Sequence, residues 1–124
     1  MAHILIVDDA AVQRIELREV LEGAGHTVYE AEDGLKGLDT LKSNGDKIQM
    51  VITDLNMPEL DGISMCQRIQ DEHGSLPIFM LTTEASAELK ADGKKVGVLA
   101  WIKKPMNPKV IISGVQKVLA KKAA

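Results

Sequence analysis

At 124 residues, with 45% hydrophobic and 27% charged residues, the chain is long enough for one globular domain with its own core and requires no disulfide or structural metal. A formal charge of −3 argues against general nucleic-acid binding, and no apolar run approaches the roughly 20 residues that span a bilayer. The N-terminus moves straight into a strand, so a cytosolic location is expected, and the lone Cys66 can form no internal disulfide.

The first apolar run, 3–7, predicts a buried strand that ends at Asp8-Asp9. Val12, Ile15, Leu17, Val20, Leu21 and Ala24 then mark one face of a helix, with Gly25 as its stop. A second strand is expected over 27–31, and Asp33 is suited to cap a helix carrying Leu35, Leu38 and Leu41 that ends near Asn44-Gly45. The third strand, 48–53, closes at Asp54. After a loop around Pro58, Asp61-Gly62 opens a helix whose inward side is Met65, Cys66 and Ile69. Strand four, 78–81, stops at Thr82-Thr83. The next helix, 85–95, carries the weakest signal, because only Leu89, Ala91 and Val96 are apolar there and Gly93 interrupts it. The fifth strand, 98–102, runs into Lys103-Lys104-Pro105. Asn107 as cap and Pro108 as first helical residue then begin a helix with the stripe Val110, Ile111, Gly114, Val115, Val118 and Leu119.

Five strands alternating with five helices predict an α/β fold, a doubly wound parallel sheet covered on both faces. The 20 residues after Lys104 amount to about one helix, so a single domain over 1–124 without an output domain is expected.

In such a sheet the ligand crevice lies beyond the carboxyl ends of the strands, where Asp8, Asp9, Asp54, Thr82 and Lys104 all fall. An isolated Asp-Asp pair is more often a helix cap with a solvated neighbour, and a lone strand-end Thr or Lys is ordinary surface. Their convergence changes that balance. Pairs of carboxylates at ~4 Å repel by about 4 kcal/mol at an effective dielectric near 20, which a divalent cation relieves. All-oxygen ligands favour magnesium. An ammonium and a hydroxyl opposite them supply the donors a phosphoryl group needs. His3, His26 and His73 are scattered without ligand spacing.

Ile6-Val7-Asp8-Asp9, Thr53-Asp54-Leu55-Asn56-Met57-Pro58 with Asp61-Gly62, Met80-Leu81-Thr82-Thr83-Glu84 and Trp101-Ile102-Lys103-Lys104-Pro105 resemble the four signatures of bacterial response-regulator receiver domains. The resemblance covers essentially the whole chain and implies a flavodoxin-like sheet of order 2-1-3-4-5. It implies that Asp54 is the nucleophile that accepts phosphate from a histidine kinase. Asp9, Asp54 and the backbone carbonyl of Asn56 would ligate Mg2+, with Asp8 acting through a water. Thr82, the Thr83 backbone N–H and Lys104 would hold the phosphoryl oxygens. Asn56 and Glu84 would control dephosphorylation, and Trp101 would act with Thr82 as the switch, on a face that Ile112 borders. Such a protein would be a signalling phosphoacceptor that catalyses only its own phosphorylation and dephosphorylation and is not otherwise an enzyme, and a monomer is expected. Within the family the chain looks most like stand-alone chemotaxis receivers, whose partner would be a flagellar motor switch protein. A phosphorelay intermediate that meets a phosphotransfer protein, or a phosphate sink, is the alternative. Ala10 stands where Ser is common, and Met106 where Phe is frequent; neither touches the proposed phosphoryl contacts.

Two other classes fit less well. A phosphatase of the haloacid dehalogenase type needs an acid two residues after its nucleophile to protonate the leaving group, and Asn56 cannot do that. A nucleotide or flavin module needs a Gly- or Ser/Thr-rich loop after its first strand, where this chain has Asp8-Asp9-Ala10-Ala11.

Overall fold

The computed structural model describes residues 2–123, with side chains described through Lys121. Its elements in chain order are β1 (His3–Val7), α1 (Ala11–Gly23), β2 (Thr27–Ala31), α2 (Gly34–Asn44), a short 3-10 turn (Gly45–Lys47), β3 (Met50–Thr53), α3 (Gly62–His73), β4 (Ile78–Thr82), α4 (Ala87–Lys95), β5 (Val98–Lys103) and α5 (Pro108–Ala123). The strands form one parallel sheet of order β2-β1-β3-β4-β5, the expected doubly wound, flavodoxin-like topology. None of the described helices is long and apolar enough to cross a membrane.

Strand parity divides the core in two. Ile4, Ile6, Met50 and Ile52 pack with Leu17 and Leu21 of α1 and Ile111 and Val115 of α5. Their neighbours Leu5, Val7 and Val51 pack on the other face with Leu41, Met65, Cys66 and Ile69 of α2 and α3. Alternating residues point to opposite faces of a strand, and both faces are covered, so β1, β3 and β4 read as continuous apolar runs rather than alternating ones. Cys66 is fully buried in this core, and burial pushes its thiol pKa up to about 12, as suits a small hydrophobe.

The caps hold the helices where the strand ends need them. Asp33 accepts from the Lys36 N–H and Asp61 from the Ser64 N–H, both at 2.8 Å, and Asn107 from the Lys109 N–H at 3.0 Å. Gly62 opens α3 because nothing larger fits: a Cβ there would lie 2.3 Å from the Asp54 carbonyl oxygen. Between these caps, Glu59 holds a φ of +70° while the Leu60 N–H donates to the Pro58 carbonyl at 2.7 Å, a γ-turn that any residue with a Cβ adopts under strain.

Several expectations are corrected. Val12 and Ile15 are 67% and 54% exposed, so the inward stripe of α1 runs through Leu17 and Leu21. Val110 and Leu35 are also exposed, and Ala91 faces solvent. β3 begins at Met50 rather than at 48, because Gln49 is drawn to β1: its N–H donates to the His3 carbonyl at 2.8 Å and its side chain accepts from the His3 N–H. α4 starts at Ala87, since Ser86 caps it through the Leu89 N–H. β5 is one residue longer than expected and carries a bulge: Ile78 pairs with Val98 and Phe79 with Ala100, leaving Leu99 out of register and 62% exposed on the edge strand.

Candidate functional site

The register places the acids. Val7 pairs with Thr53, and the Asp54 N–H donates to the Val7 carbonyl at 2.9 Å, so Asp8 and Asp54 leave the sheet side by side on neighbouring strands. Asp8, Asp9 and Asp54 each bring a carboxylate oxygen within 4.8 Å of the others. From the far side, the pairing of Thr82 with Lys103 and the bond from the Lys104 N–H to the Thr82 carbonyl at 2.9 Å carry Lys104 to the same end. The Lys104–Pro105 peptide is cis.

Lys104 crosses the cluster. Its Nζ donates to Asp8 Oδ2 at 2.9 Å and to Asp54 Oδ2 at 2.8 Å, with the lysine side chain only 9% exposed. Burial opposes the ammonium charge, but hydrogen bonds to Asp54 and Asp8 outweigh it, so the Lys104 pKa is raised. The remaining oxygens of these acids are oriented by backbone. Asp8 Oδ1 accepts from the Ala10 N–H at 2.9 Å, and Asp54 Oδ1 from the Leu55 N–H at 2.6 Å. Ala10, at the cap position of α1, offers no side-chain bond of its own, and Asp8 takes its N–H instead. Asp9 is exposed, at the solvent side of the three.

The flanking residues form a chain across the mouth. Thr82 is buried at the end of β4, and its Oγ1 accepts from the Glu84 N–H at 3.3 Å. Thr83 is exposed in the loop that follows. The Asn56 side-chain amide donates to Glu84 Oε2, so the residues two after Asp54 and two after Thr82 are joined. Trp101 is half-buried on β5 and its indole N–H donates to the Glu84 carbonyl at 2.7 Å. Glu84 therefore touches Thr82, Asn56 and Trp101 at once. Ile112, which was expected to border the Trp101 face, is half-buried on α5.

Three further residues at this end, Arg14, Arg18 and Gln13, lie outside the sequence motifs. Arg14 donates to the Asp8 carbonyl at 2.7 Å and to Glu30 Oε1 at 3.2 Å, tying the end of β1 to β2; Arg18 also reaches Glu30. Gln13 Oε1 accepts from Lys104 Nζ. Gln13 is exposed one turn before the buried Leu17, and its i, i+4 spacing to Leu17 is the signal that marks it.

Three carboxylates around one ammonium leave an excess of negative charge with oxygen donors only. That donor set suits a hard divalent cation of the magnesium type. Together with the Lys104 ammonium it forms a place where a doubly charged phosphoryl group can be held beside a carboxylate nucleophile.

Comparison with known proteins points to one family. The family model described as response regulator receiver domain matches residues 4–116. The chain is similar to a chemotaxis protein CheY homolog of Campylobacter jejuni, 35% identical over 94% of this chain and 91% of that one. It is also similar to the transcriptional regulatory protein CseB of Streptomyces coelicolor, 32% identical over 94% of this chain but only 49% of that one. Among solved structures, chemotaxis protein CheY4 of Vibrio cholerae superposes with a TM-score of 0.87 at 37% identity, covering 95% of this chain and 98% of the other.

Proposed function

The chain belongs to the response regulator receiver family, and on that premise we propose that it is a response-regulator receiver that takes a phosphoryl group from a histidine kinase onto Asp54 in a magnesium-dependent reaction. The observation that carries this reading is the bridge from Lys104 Nζ to Asp8 and Asp54 beside three converging carboxylates. An oxygen of the Asp54 carboxylate attacks the phosphorus, the P–N bond of a phosphohistidine breaks, and the imidazole leaves and takes up a proton from solvent. Asp54 becomes an acyl phosphate. Lys104 transfers its hydrogen bond from Asp54 Oδ2 to a phosphoryl oxygen, and the Thr82 hydroxyl and Thr83 N–H take others.

Asp9, Asp54 and the Asn56 backbone carbonyl would hold Mg2+, with Asp8 acting through a water. When bound, the ion would supply charge neutralisation for the phosphoryl oxygens. Drawing Thr82 toward the phosphoryl group changes the contacts of Glu84, and through Glu84 those of Trp101, which biases two packed arrangements of the partner-binding face. Similarity to chains named for chemotaxis supports a role in chemotaxis signalling, and the partner proposed on that reading is a flagellar motor switch protein.

Incubation with acetyl phosphate and magnesium, followed by intact mass, tests the reaction. One phosphoryl adduct is expected in the wild type, and none in Asp54→Asn or in the presence of excess chelator. An adduct that persists in Asp54→Asn overturns the assignment.

A further inference from the structure

The Lys104 ammonium has three N–H groups and three oxygen acceptors: Asp8 Oδ2, Asp54 Oδ2 and the amide oxygen of Gln13. Two of these belong to the phosphoryl chemistry proposed above. The third comes from the first turn of α1, and it is the only neutral one. Gln13 lies one and two turns before Leu17 and Leu21, the residues that bury α1 against the sheet, so it continues that row past the sheet's end. A cleft of about 90 Å3 opens beside the lysine, with Gln13, Glu16, Leu17, Leu81 and Met106 in its wall. Glu16 has no ion-pair partner among the described residues. An ammonium that lost its third acceptor would find a free carboxylate on that side.

We propose that Gln13 is a positioning residue, whose amide oxygen holds the third N–H of Lys104 and keeps the ammonium turned toward Asp54 and away from Glu16. The inference rests on the reading of Asp54 as phosphoacceptor. When phosphorus bonds to Asp54, one Lys104 N–H passes to a phosphoryl oxygen while Asp8 and Gln13 keep the other two. The ammonium then needs no new orientation during the step. A neutral acceptor suits this task, because a carboxylate at position 13 would compete for the same ammonium and add a fourth negative charge to the site.

The test uses the full chain with acetyl phosphate and magnesium, following adduct formation by intact mass. In parallel, the 15Nζ signal of Lys104 is recorded without any phosphodonor. Gln13→Ala is expected to form the adduct about fivefold more slowly, the factor expected for one net hydrogen bond, with an unchanged melting temperature and a broadened Lys104 signal. Adding Glu16→Gln to Gln13→Ala is expected to recover most of the rate, whereas Glu16→Gln alone leaves it at the wild-type value. A Gln13→Ala rate equal to wild type, or a loss that Glu16→Gln does not recover, overturns the proposal. A wild type that forms no adduct overturns the functional reading instead. The Lys104 signal then decides whether Gln13 holds the ammonium.

Discussion

His26 accepts at Nδ1 from the Ala2 backbone N–H, 3.2 Å away, and an imidazole protonated at that nitrogen could not do so. Burial lowers its pKa below the ordinary 6.5. A histidine whose folded pKa is depressed stabilises the fold above the unfolded value, and that contribution is lost as pH falls through the lower folded one. Wild-type melting temperature is therefore expected to drop more steeply between about pH 7.5 and pH 5.5 than that of His26→Gln. Parallel curves would show that His26 is not coupled to folding in that range. A second residue-level expectation concerns the bridge between Asn56 and Glu84, which spans the mouth; on the proposed reading of Asp54 as phosphoacceptor, water is expected to reach the acyl phosphate only when that bridge opens or reorients. Replacing Glu84 by Leu leaves apolar bulk that cannot hold a water in line. Loss of phosphate is expected to slow on the order of tenfold. A decay time course unchanged in Glu84→Leu and in Asn56→Met would remove this pair from control of water access.

At the scale of elements, α4 shows why one stretch was hard to read. Gly93 weakens the helical signal, and as a helix residue it costs about 1 kcal/mol relative to Ala. Its reason lies on another strand: a Cβ at position 93 would stand 2.8 Å from the ring of Trp101, so the glycine is the seat on which the indole rests. Gly93→Ala is expected to push Trp101 outward, break its bond to the Glu84 carbonyl and shift its emission to longer wavelength, even as intrinsic helix propensity rises. Unchanged emission in Gly93→Ala would show that the indole does not need that seat. Other elements were legible because their signals are local. Asp33, Asp61 and Asn107 announce helix starts within three residues, and the apolar runs of β1, β3 and β4 need no partner to be recognised. Val12 and Ile15 misled because helix periodicity cannot tell a stripe facing the sheet from one facing solvent. The outward bulge at Leu99 and the polar contact of Gln13 depend on pairings with residues far along the chain. The site acids were readable from their positions at strand ends, whereas the meeting of Glu84 with Thr82, Asn56 and Trp101 is a property of the folded loop.

At the scale of the whole molecule, the sheet holds together a site that opposes its own folding. Register and crossovers bring three carboxylates together against a single ammonium, and among them Asp9 is exposed and does not share in the Lys104 bridge. The apolar cores on both faces of the sheet outweigh this repulsion, as folds generally do when function requires an unfavourable constellation. Two opposite consequences follow for Asp9→Asn. Without metal, removing one charge near the solvent boundary is expected to stabilise the protein by about 1 kcal/mol or less, the scale of a pair repulsion in high dielectric. With magnesium, the order reverses: an ion that binds only the folded state at a hundred times its dissociation constant adds about 2.7 kcal/mol to the wild type, and Asp9→Asn forfeits most of that. Thermal melts of both proteins with chelator and across a magnesium titration measure both arms. The expected result is a crossing, with the variant more stable at zero magnesium and the wild type more stable at saturation. A variant that is less stable than the wild type in chelator would show that Asp9 serves the fold itself, and a wild type that does not respond to magnesium would remove the cation from the site.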